Sequence, residues 1–72
     1  MVAILNYYDD PRMSEMIYVQ EGDYVCANET EHNLTENKKY KILDVNACDM
    51  ITVKNDIEVE DIYSVEWFEK CE

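Results

Sequence analysis

One glycine and one proline in 72 residues leave little room for flexible linkers or repeated tight turns, and no repeat or low-complexity tract is present. Basic residues are scarce too: 6 Lys and Arg stand against 17 Asp and Glu, a net charge of −11. That shortage argues against direct nucleic-acid binding, where Lys and Arg supply most of the affinity by neutralising phosphates. It argues equally against an anionic membrane surface. The cysteines Cys26, Cys48 and Cys71 are odd in number and far apart, with no CxxC pair and only His32 to complement them. Structural zinc needs four ligands in closely spaced pairs, so the expectation is free thiols in a reducing cytoplasm, with no metal and no cofactor. Met1-Val2-Ala3-Ile4-Leu5 is apolar but lacks a basic leader and the length of a span, so neither a signal peptide nor a membrane segment is expected. Without secretion, Asn28-Glu29-Thr30 and Asn33-Leu34-Thr35 are chance matches to the glycosylation sequon.

What remains is apolar enough to fold, at 47 % hydrophobic residues. A chain of this length buries only roughly 60 % of its unfolded surface, so residues 1–72 make one domain with one core. Short apolar runs alternate with polar turns throughout. Val2 to Tyr8 reads as a strand ended by Asp9-Asp10-Pro11, where proline removes a backbone donor. Met13 to Met16 can form one helical turn, Ile17-Tyr18-Val19 resumes a strand, and Glu21-Gly22-Asp23 turns the chain. Tyr24 to Ala27 is a strand followed by a long polar loop, Asn28 to Asn37, expected to be the most mobile segment. In Lys39 to Val45 the alternation sends Tyr40, Ile42 and Val45 inward and the lysines outward. After a turn at Asn46 to Asp49, Met50 to Lys54 points Ile51 and Val53 inward. Asn55-Asp56 is read as a tight reversal, both residues tolerating left-handed angles. Ile57 to Glu60 then returns as a strand extended by Asp61-Ile62-Tyr63, and Ser64 caps a short turn through Val65 to Phe68. The expected class is all-β, its core formed by Val25, Tyr40, Ile42, Ile51, Val53, Tyr63 and Phe68.

From Gly22-Asp23-Tyr24-Val25-Cys26, through Leu34 to Val45 and Ile51-Thr52-Val53-Lys54-Asn55-Asp56, to Tyr63-Ser64-Val65-Glu66-Trp67-Phe68, the chain resembles the small SH3-like β-barrel proteins common among bacteriophage accessory genes. The resemblance implies an SH3-like barrel of about five short strands over 21–72, with one short helical turn near the C-terminus. Residues 1–20 fall outside it as an N-terminal strand or extension. Members of that family often carry Gly where this chain has Asn37, and Gly after the turn where Ile57 stands.

No constellation here suits catalysis. His32 sits in the polar loop beside Glu29 and Glu31 with no Ser or Cys near it in sequence, so it reads as a solvated loop histidine and the chain as no enzyme. Asp9-Asp10 and the set Asp56, Glu58, Glu60 and Asp61 form a row and not a metal cage. Those four acids, with Glu66, Glu69 and Glu72, crowd the last seventeen residues against Lys70 alone. If Glu58 and Glu60 alternate on a strand, their spacing of about 6.5–7 Å approaches that of phosphates along a nucleic acid. A solvated acidic face also keeps a small β-protein soluble and blocks edge pairing, with no partner involved. Six tyrosines are too many for so small a core, and surface aromatics anchor interfaces. The candidate partner-binding residues are therefore Tyr7, Tyr8, Asp56, Glu58, Glu60, Asp61, Glu66, Trp67 and Glu69.

Charge and resemblance together point to a non-catalytic, cytoplasmic protein of phage type. It is expected to bind a host protein with a basic surface, such as a defence or nucleic-acid-processing factor, and to inhibit or redirect it by mimicking nucleic acid. The alternative is a structural or self-assembling module that uses residues 1–20 to form homo-oligomers.

Overall fold

The computed structural model describes residues 1–8 and 16–71. Its strands are β1 (Ala3–Ile4), β2 (Tyr18–Val19), β3 (Tyr24–Ala27), β4 (Lys39–Ala47), β5 (Met50–Lys54), β6 (Glu60–Ser64) and β7 (Phe68–Lys70), with a single 3-10 turn at Val65–Trp67. The fold is all-β. Five strands form one antiparallel sheet in the order β6-β5-β4-β3-β7, while β1 and β2 pair separately.

The longest strand shows how pattern becomes packing. Along β4 the lysines Lys39 and Lys41 face solvent while Tyr40 and Ile42 are buried. Strict alternation would next bury Asp44. Instead the register slips between Ile42 and Asp44, which oppose Val53 and Thr52, so one extra residue on β4 reverses the parity and brings Val45 inward. The bulge thus lets a strand with an acid at the wrong position keep a dry inner face.

The two edges of the sheet meet through their side chains. Phe68 of β7 lies edge-on to Tyr63 of β6 at 6.0 Å between ring centroids and to Tyr40 of β4 at 6.3 Å. The sheet therefore curls around one core, and all seven expected core residues are buried in it. Ala3, Leu5 and Val19 join that core, as do Leu34 from the long loop and Val65 from the 3-10 turn. The N-terminal pair is tied down where Ile4 N donates to Cys48 O at 2.7 Å, and Leu5 N donating to Ile17 O at 2.9 Å extends the pair itself.

Several elements differ from expectation. Only Ala3–Ile4 of the Val2 to Tyr8 run is strand, and residues 5–8 turn. The helical turn at Met13 to Met16 falls mostly outside the described residues, as do Asp9-Asp10-Pro11. β4 continues to Ala47, narrowing the following turn. The largest correction is at Asn55-Asp56: neither residue is left-handed, and the positive angle falls on Glu58, with φ 60°. Asn55 is only 5 % exposed, and its Oδ1 accepts from Ile57 N at 3.2 Å and Val59 N at 3.0 Å. A side chain thus satisfies backbone donors that a strand ladder would have used, so the strand starts at Glu60 and not at Ile57. Glu58 sits in the loop, and Glu60 and Asp61, adjacent on β6, point to opposite faces. Glu58 and Glu60 therefore do not alternate along one strand, and the strand spacing expected between them does not apply.

Candidate protein-binding surface

The 3-10 turn is built from its cap outward. Ser64 is extended and its Oγ accepts from Glu66 N at 3.4 Å, while Val65 roots the turn in the core. Glu66 is left exposed and Trp67 half-buried. Across from it, His32 and Asn33 adopt successive left-handed angles, φ 54° and 65°. This bend aims the His32 ring at Trp67, with centroids 4.6 Å apart in an edge arrangement. The His32 carbonyl is fixed beneath by the Tyr63 hydroxyl, which donates to it at 2.6 Å. His32, Asn33 and Trp67, together with Asp61, Ile62, Tyr63 and Ser64, line an open groove of about 370 Å³.

Tyr8 stands on the other side of Ser64. Its hydroxyl donates to Asp49 Oδ2 at 2.7 Å, and that bond raises its pKa, with Ser64 opposing and burial and the charges of Asp49 and Glu66 adding. Tyr7 packs edge-on to Tyr8 at 5.3 Å and against the core. Five candidates, Tyr7, Tyr8, Asp61, Glu66 and Trp67, are thus gathered around one turn. Aromatic centres rimmed by acids make a surface that can bury apolar groups of a partner and attract its cations.

The other four candidates lie elsewhere. Asp56 is consumed internally: it accepts from Thr35 Oγ1 at 2.6 Å, Lys38 Nζ at 2.7 Å and the Tyr40 hydroxyl at 2.8 Å. Those donors, Lys38 first, lower its pKa from 3.8 to about 2. Its N–H also donates to Asn33 O at 2.8 Å, so Asp56 staples the long loop to the β5–β6 connection. Glu58 and Glu60 project from that connection and the outer sheet face. Glu69 lies opposite Cys26 in a separate depression with Lys39 and Lys70. Beside it burial, then the neighbouring Cys26 thiol, pushes Cys71 up to about 11. All three cysteines are free thiols.

His32, Ile62 and Ser64 are surface residues that sequence reasoning did not select. His32 is the exposed loop residue expected, and its ring in addition lies edge-on to Trp67. For Ile62 a signal existed: the alternation that sends Tyr63 inward sends Ile62 outward, and it is 50 % exposed. Among the described residues no group of three or more His, Cys, Asp or Glu side chains is placed to hold a metal ion. No helix among them is long and apolar enough to cross a membrane. Comparison with known proteins finds no matching family model, no matching curated protein and no matching solved structure.

Proposed function

We propose that this protein is a non-catalytic binding module that recognises a basic protein partner through the surface around Ser64–Trp67. One observation carries the reading: the fold gathers Tyr8, Trp67 and His32 with Asp61 and Glu66 at one turn, from separate parts of the chain. The aromatic groups supply short-range binding energy on desolvation, and the acids, backed by a net charge of −11, steer a cationic partner. The resemblance to phage accessory proteins supports a host protein as that partner, with inhibition or redirection as the outcome. Association through residues 1–20 is the second reading, favoured by the exposure of Met1 and Val2 beside the short β1 strand.

The test is affinity capture from a host lysate with wild type, His32→Ala and the double variant Asp61→Asn/Glu66→Gln, none of which removes a core side chain. A partner kept by wild type and lost or weakened by both variants is the expected result. A partner held equally by all three proteins contradicts the assignment of this surface.

A further inference from the structure

We propose that the outer edge of β6 takes up an extended basic segment of the partner as an added strand, and that Asp61 admits such a segment while turning away a second copy of this chain. The inference rests on the binding surface proposed above, of which β6 forms one wall.

β6 ends the order β6-β5-β4-β3-β7, so one of its sides has no strand neighbour among the described residues. The direction of its backbone groups follows from the bonds that flank it. Asn55 N donates to Val59 O, and Val65 N donates to Asp49 O, both toward the β5 side. Antiparallel alternation then turns Asp61 and Tyr63 toward β5 and leaves the N–H and C=O groups of Glu60, Ile62 and Ser64 facing out. Such a row templates strand addition.

Apolar surface accompanies it: Ile57 is 62 % exposed, Val59 47 % and Ile62 50 %, all on β6 or the connection leading into it. The charge along this edge is acidic, from Glu58, Glu60 and Asp61, with Lys54 of β5 paired across from Glu60. A copy of the same edge would bring like charges together.

Asp61 sharpens the choice. Its Oδ1 accepts from Ile62 N at 2.9 Å and so occupies the central outward donor of the edge. An incoming strand must displace that carboxylate. A Lys or Arg opposite gives it a new partner and releases the amide, whereas an acidic strand offers none. Because Asp61 and Ile62 point to opposite faces, the matching segment alternates basic and apolar residues.

The probe is a short alternating Lys–Val peptide, with a Glu–Val peptide of equal length as control. Amide exchange and the fluorescence of Trp67, the single tryptophan, are read together. The Lys–Val peptide is expected to slow exchange at Glu60, Ile62 and Ser64 by about tenfold or more and to shift the Trp67 emission, while Glu–Val does neither. Asp61→Asn is expected to narrow the preference between the two peptides. A Trp67 shift without protection at those three amides overturns the edge proposal and leaves the surface assignment standing. Protection along β7 instead of β6 overturns it as well, and silence at both reporters overturns the edge and the surface together.

Discussion

Asn55 and Asp56 are adjacent, and each holds a different part of the molecule. Asn55 closes the β5–β6 connection with its Oδ1, while its Nδ2 donates to the Tyr63 hydroxyl at 3.1 Å. Asn55→Ala strands those groups in a buried place, and a loss of about 1–3 kcal/mol is expected in chemical denaturation. Asp56 gives a pH signature. Its carboxyl titrates at about 2 when folded against 3.8 when free of its donors, so the stabilisation is fully present above pH about 4 and drains away as pH falls through about 2. After discounting for its partial exposure, the contribution is about 1–2 kcal/mol. Comparing wild type with Asp56→Asn from pH 5 to pH 2 isolates it: the gap between their denaturation midpoints is expected to close across that window, and a constant gap contradicts the assignment. The sequence marked both residues as turn formers on backbone tolerance alone. Their side-chain roles were not legible, because the partners Tyr63, Lys38 and Tyr40 arrive only once distant strands pair.

At the level of elements, strands whose apolar residues alternate cleanly were readable. β3 and β5 have the expected bounds, and Tyr40, Ile42, Val45, Ile51 and Val53 all turn inward. Ile42→Ala or Ile51→Ala, both fully buried, is expected to cost about 2–5 kcal/mol. Ile57 and Val59 misled because alternation of apolar and acidic residues signals a strand only when one face is covered, and here nothing described covers them. The cap at Ser64 was legible from residue type, but the pairing of Trp67 with His32 was not, since it depends on two left-handed residues in a loop. The long loop was expected to be mobile. It is anchored by the burial of Leu34, by the Thr35 and Asn33 bonds to Asp56, and by Thr30 Oγ1 accepting from Glu36 N at 2.9 Å. The guard on the β6 edge is open to a separate check. Asp61→Ala frees the Ile62 amide and removes a charge, so light scattering at high salt is expected to show more self-association than wild type. Equal behaviour of the two proteins contradicts the guarding role.

Across the whole molecule, acids outnumber bases by 17 to 6 and repel one another, and the fold tolerates this by leaving the described ones unburied and pairing few of them. Only Lys38 with Asp56, and His32 with Glu31 when the histidine is protonated, lie within ion-pair distance among the described residues. A field of one sign is thus left facing outward, while the aromatic turn offers a local foothold within it. Field and foothold act at different stages of binding, and the most direct measurement separates them. With a captured partner in hand, association and dissociation rates are measured across a salt series for wild type, Asp61→Asn/Glu66→Gln and Trp67→Ala, the last checked for folding by circular dichroism. Neutralising the acids is expected to slow association several-fold at low salt, by an amount that fades as salt rises, and truncating Trp67 to raise dissociation about tenfold or more. Rates indifferent to salt, with both variants binding as wild type does, contradict recognition of a basic partner by this surface.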